Sequence, residues 1–201
     1  MSDQTNASSA GTDDQGRRSA TRHTIEAQER FRDSLPPDDP RDLERVTRGF
    51  IASRATSEIP NENDSGAAAW MPVSWDTARW AYVTGDPPDT VNPSLWRQAT
   101  LNGHHGLFEV VEGFYQVRSH DTSCTTFIRG DDGWVVIDPL TTTETAKSAM
   151  ALVREHLEDL PVTAVVYTHS HVDHYGGILG MVEQERIDAG EVPIVAPDGF
   201  L

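Results

Sequence analysis

Between residues 161 and 177 the sequence reads PVTAVVYTHSHVDHYGG: an apolar, β-branched run, then three histidines and an aspartate within six positions, then two glycines. A run without polar alternation is what a strand covered on both faces requires. This stretch therefore predicts a buried strand in a layered α/β arrangement and argues against an all-helical bundle. His169 and His171, two apart on extended backbone, project to the same side. Asp173 and His174 follow where the loop enters a helix, and Gly176 and Gly177 let the backbone pass closely beneath them. Neutral imidazole and carboxylate are natural non-thiolate ligands for zinc and similar divalent ions, at about 2.0–2.2 Å. With His169 and His171 on one ion and Asp173 and His174 on a second, a water of depressed pKa can be held between two metals. The chemistry that follows is hydrolysis.

The surrounding pattern extends the layer reading. GLFEVVEGFYQVR breaks into two short runs around Glu112-Gly113, and TTFIRGDDGWVVIDP into two strands around Gly130–Gly133. In TTTETAKSAMALVREHLEDL, Thr141 and Glu144 have the spacing of a capping box. Ala146, Ala149, Met150, Val153 and Leu157 fall at helical spacing. A further helix is expected through ILGMVEQERI. Strands followed by a helix, a strand and a histidine loop place the site beyond the carboxyl end of a strand.

Upstream the signal weakens. Residues 1–40 are rich in Ser, Thr, Asp, Gln and Arg, and are expected to form a disordered tail, with a short helix allowed in TIEAQERFRD before SLPPDDP ends it. Residues 41–100 show little periodicity but many aromatics, and are expected to form an irregular arm that packs its rings on residues 101–201.

Charge excludes one class of partner. The formal net charge is −16, and Lys147 is the only lysine, a field that repels phosphate, so no nucleic acid is expected. An acidic surface with arginine in place of lysine matches proteins of salt-loving organisms, whose high ionic strength screens self-repulsion. Cys124 is the only cysteine, which excludes an intrachain disulfide and a thiolate-rich zinc site. In SCTTFI it is expected to be a buried, inert thiol. No window approaches the roughly 18 apolar residues of a spanning helix, and no apolar segment follows Arg17-Arg18. A cytoplasmic protein without membrane insertion is the expectation.

The motif His169-Ser170-His171-Val172-Asp173-His174 resembles the signature of the metallo-β-lactamase superfamily, an αβ/βα sandwich with a dinuclear metal site. Asp138, in WVVIDPL, resembles the aspartate that ends an earlier strand of that fold and supports the site by hydrogen bonds to its ligands. More narrowly, NPSLWRQA and WVVIDPLTTTETA followed by THSHVDHYGG resemble the alkyl sulfatase branch, from about Ala78 to Leu201. The resemblance implies two Zn2+ ions per complete site, with His169 and His171 on the first and Asp173 and His174 on the second. It implies that Asp173 also orients the attacking water, and that a small-molecule alkyl sulfate is the substrate. It further implies that this chain holds the N-terminal half of the fold, because the family completes its site with acidic residues and a histidine further downstream. Those ligands are expected from a homodimer partner or a separately encoded second half. The alternatives are a non-catalytic truncated fragment and another hydrolase of the fold acting on lactams, thioesters or phosphodiesters.

Other groups carry weaker readings. His104 and His105 read as solvated loop residues, and His156 as a partly exposed helix residue. His120, beside Asp121 in RSHDTS, is a candidate neighbour of the metals because that segment joins two strands. Trp75, Trp80, Tyr82 and Trp96 read as core packing, with an apolar chamber for an alkyl tail as the alternative.

Overall fold

The computed structural model describes residues 11, 12, 18–62 and 72–200. Helix α1 (Arg22–Ser34) starts where the Thr21 hydroxyl accepts the Thr24 N–H at 3.2 Å, and none of its residues is buried. The helix allowed in TIEAQERFRD is present and runs a little further at each end, over 13 residues. The tail reading over 1–10 and 13–17 lies outside the described residues.

The next segment is also more regular than its composition suggests. It contains α2 (Arg41–Thr47), β1 (Phe50–Ala52), β2 (Glu58–Pro60), β3 (Val73–Asp76) and α3 (Pro93–Asn102). Helix α3 is specified by its start rather than by periodicity: Asn92 accepts the N–H groups of Ser94 and Leu95, and Pro93 occupies the first turn. Strands β2 and β3 pair with each other, whereas β1 joins the main sheet. Strand β1 of the arm thus belongs to the main sheet, and α3 runs through residue 100.

The main sheet takes its other strands from β4 (Gly106–Val111), β5 (Phe114–Arg118), β6 (Thr125–Arg129), β7 (Trp134–Ile137), β8 (Val162–Val166) and β9 (Ile194–Val195). Their order is β1-β4-β5-β6-β7-β8-β9. Pairing is antiparallel from β1 to β7 and parallel across β7, β8 and β9. Gly113, at φ +79°, makes the tight turn predicted between β4 and β5.

Helix α4 (Thr143–His156) makes the crossover between the parallel strands β7 and β8, burying Ala146, Ala149, Met150 and Val153 as the spacing predicts. They pack with Leu107, Val117, Phe127, Trp134, Val136 and Val165 in one core. Full burial of a side chain such as Phe127 contributes roughly 1.5–3 kcal/mol. The capping box lies one residue later than expected, at Thr142 and Thr145. Thr141 is not free for that role, because its hydroxyl donates to Asp121. The helix expected through ILGMVEQERI is broken into a 3₁₀ turn at Ile178–Gly180 and α5 (Gln184–Asp188).

The parallel pairing positions the site. Ile137 is registered with Val166, and the N–H of Asp138 donates to the Val166 carbonyl at 2.9 Å. The chain therefore leaves β7 and β8 side by side, with Asp138 next to the segment that begins at Tyr167. No helix among the described residues is long and apolar enough to cross a membrane.

Candidate metal centre

Asp138 closes β7 in a left-handed conformation, φ 57°, and Leu140 two residues on has φ 66°. Aspartate tolerates this region, but a leucine there is costly unless its surroundings fix it. Here the Leu140 N–H donates to the Asp138 carbonyl, and the Leu140 carbonyl accepts the Gly177 N–H, both at 2.9 Å. The turn after β7 is thus tied to the glycines that follow the histidine motif. A side chain on Gly177 would come within 2.6 Å of the Thr142 carbonyl oxygen and closer still to that of Pro139. Glycine is required because two backbones pass each other without room for a Cβ.

The Asp138 carboxylate is nearly buried and fully engaged. Oδ1 accepts the Thr168 N–H at 2.8 Å, and Oδ2 accepts the Thr168 hydroxyl at 2.7 Å and lies 2.8 Å from His174 Nδ1. A carboxylate only accepts, so His174 carries a proton on Nδ1, and Nε2 is the ring nitrogen it presents on the other side. The Thr168 hydroxyl spends its proton on Asp138, so it accepts from His169 Nδ1, 2.9 Å away. His169 then also presents Nε2. One aspartate sets the tautomer of two histidines, directly at His174 and through Thr168 at His169.

Three pairs among the four predicted residues lie close to one another. The His169 ring centroid lies 4.7 Å from that of His171 and 4.0 Å from that of His174. Asp173 Oδ2 is 3.4 Å from His174 Nε2. Among the described residues no group of three or more His, Cys, Asp and Glu side chains is arranged to hold a metal ion. The fit of this set to a divalent ion therefore rests on donor type and on the two fixed tautomers. Imidazole and carboxylate are donor types that divalent ions such as zinc accept.

The other predicted residues have varied surroundings. His120 is 1% exposed, and neither ring nitrogen has a hydrogen-bond partner among the described residues. Desolvation, then the nearby Arg54 and His105, lower its pKa to about 4, so it is neutral at physiological pH. His105 Nδ1 lies 3.0 Å from the Gly103 carbonyl oxygen, and His156 ends α4 beside Glu155. Cys124 is exposed rather than buried, although partial desolvation pushes its thiol pKa up.

Trp80 and Tyr82, read as core residues, are exposed. With Leu95 and Trp96 they line an open cleft of about 770 Å³ formed between the arm and Arg18 and Ser19. Trp75 instead donates its indole N–H to the Ser119 carbonyl at 2.8 Å.

Sequence reasoning missed Thr168 and the loop at Asp121 and Ser123. Thr168 was signalled only by its position between the strand and His169. The Asp121 carboxylate accepts the Thr141 N–H at 2.9 Å and the hydroxyls of Thr141 and Thr145 at 2.6 and 2.5 Å. The Ser123 hydroxyl donates to the backbone carbonyl of Asp173.

Comparison with known proteins finds similar chains. The family model of the metallo-beta-lactamase superfamily matches residues 121–200. A linear primary-alkylsulfatase from Pseudomonas sp. is 44% identical over 184 residues, which is 90% of this chain and 26% of that protein. The alkyl/aryl-sulfatase BDS1 of Saccharomyces cerevisiae is 42% identical over 179 residues, 89% of this chain and 27% of its own length. The solved structure of the inverting sec-alkylsulfatase Pisa1 from Pseudomonas sp. superposes with a TM-score of 0.80 at 42% identity, covering 90% of this chain and 28% of that one. The chain thus spans about a quarter of the length of the relatives it matches.

Proposed function

We propose, from the chain's place on the alkylsulfatase branch of the metallo-β-lactamase superfamily, that it supplies part of a zinc-dependent hydrolase of alkyl sulfate esters. The observation that carries the metal assignment is the Asp138 carboxylate, which holds His174 directly and His169 through Thr168, so that each presents Nε2. A buried carboxylate spent on orienting two imidazoles serves metal binding, because an orienting partner raises ligand basicity and fixes the ring.

In this reading His169 and His171 hold one Zn2+, and Asp173 and His174 hold a second. When bound, the ions lower the pKa of a water and polarise the ester oxygens. Asp173 orients the attacking water through its carboxylate. Hydrolysis adds that water across the sulfate ester, giving an alcohol and hydrogen sulfate. Four side chains divided between two ions leave each with two protein ligands, one short of the three usual at a catalytic zinc. The reading therefore assigns the remaining ligands to residues outside these 201, from the same polypeptide or from a partner chain.

Elemental analysis of the purified protein, paired with sulfate release from dodecyl sulfate, tests the proposal. Close to two zinc ions per chain, with release abolished by a chelator, is the expected result for the completed site. A chain that retains its ligand residues but binds no zinc under any condition would overturn it.

A further inference from the structure

The β5–β6 connection, residues 119–124, touches both turns that carry the metal-site residues. At one end, Asp121 is 5% exposed and accepts the Thr141 N–H and the Thr141 and Thr145 hydroxyls. It thereby fixes the chain three residues past Asp138 and the first turn of α4. At the other end, the Ser123 hydroxyl bonds the Asp173 carbonyl. The connection is itself anchored to the arm, with Ser119 accepting the Trp75 indole N–H at 2.8 Å and donating its own hydroxyl to the Asn102 carbonyl at 2.8 Å.

We infer that Asp121 and Ser123 are positioning residues, which set the distance between the Asp138 turn and the Asp173 turn and so prepare the ligands for metal. The inference rests on the metal reading above. Asp138 reaches His174 and Thr168 through side chains, but Asp173 receives no hydrogen bond from Asp138. The backbone at Asp173 is held by Ser123, and Ser123 is held in turn by a loop that grips the turn after Asp138 through Asp121. Asp121 has no cation among its hydrogen-bond partners in the described residues, and three of those bonds run to Thr141 and Thr145. That expenditure orients backbone; it does not prepare a proton donor. Removing the Ser123 hydroxyl leaves the four ligand side chains intact but frees the Asp173 backbone.

The test is a zinc titration, by competition with a chromophoric chelator, of the whole protein as wild type, Ser123→Ala and Ser123→Thr, each with a melting curve without metal. Partners that orient ligands are typically worth about 10–100-fold in metal affinity. The expected result is a roughly tenfold weaker zinc affinity in S123A, a metal-free melting midpoint close to wild type, and affinity restored in S123T, which keeps the hydroxyl. Equal affinities in wild type and S123A would overturn this inference alone. So would an affinity loss that tracks an equal loss of folded stability and is not restored by threonine. Absence of zinc binding by the wild type would overturn the metal reading and this inference together.

Discussion

His174 Nδ1 lies 2.8 Å from Asp138 Oδ2, so the last residue of one strand's turn determines which nitrogen a histidine 36 positions later presents. The same oxygen takes the Thr168 hydroxyl, and through it the order reaches His169. Two of the four proposed ligands thus depend on one carboxylate.

Replacing Asp138 by asparagine keeps the shape but puts an amide where a second acceptor oxygen stood. Zinc affinity is expected to fall about 10–100-fold. Competition titration measures it, and an unchanged affinity would remove Asp138 from the site.

His169→Ala and Asp173→Ala each delete a proposed ligand. Metal-dependent sulfate release is expected to vanish in both, with bound zinc falling from about two ions per chain to about one in the former. Full turnover in either variant would show the assignment to be wrong.

Gly177→Ala introduces a Cβ into the backbone-to-backbone contact with Pro139 and Thr142. Overpacking of this kind costs typically about 1–3 kcal/mol. Urea unfolding of G177A should show a lower midpoint at unchanged slope.

The folded-state pKa of His120 is about 4, against an ordinary value of 6.5. Between those values the unfolded chain binds the proton and the folded chain does not, so stability falls as pH falls from 6.5 towards 4 and is fully restored above 6.5. The span of the effect is about 3 kcal/mol at 1.36 kcal/mol per unit. Unfolding measured from pH 4 to pH 7 should show this slope in the wild type and a shallower one in His120→Phe. Parallel curves would assign the acid sensitivity to another group.

With a net charge of −16, screening is expected to stabilise the fold. Transfer from molar to millimolar KCl should cost on the order of 1 kcal/mol, which for a chain of this size is about 2–4 °C in melting midpoint. A midpoint independent of salt would reject the halophilic reading.

Strands β4 to β8 and helix α4 were legible because alternation, turn glycines and helical spacing are local signals. The proposed ligands His169, His171, Asp173 and His174 stood out because their spacing is itself a chemical signal. Thr168 was not, since its role exists only where β7 and β8 run parallel and bring Asp138 alongside. Asp121 and Ser123 were hidden for the same reason: their partners lie 20, 24 and 50 residues away. The arm was misread where a helix is set by its cap, as at Asn92, rather than by an apolar stripe. Trp80 and Tyr82 show that aromatic content alone does not say which face a ring takes.

Cys124 is the one thiol in the chain, it is exposed, and its neighbour Ser123 grips Asp173. Maleimide chemistry is therefore addressed to a single position next to the strap that holds the site. Because desolvation raises its pKa, coupling should proceed faster in alkaline than in neutral buffer. An environment-sensitive dye installed there would turn movement of that strap into an optical signal without any engineered cysteine.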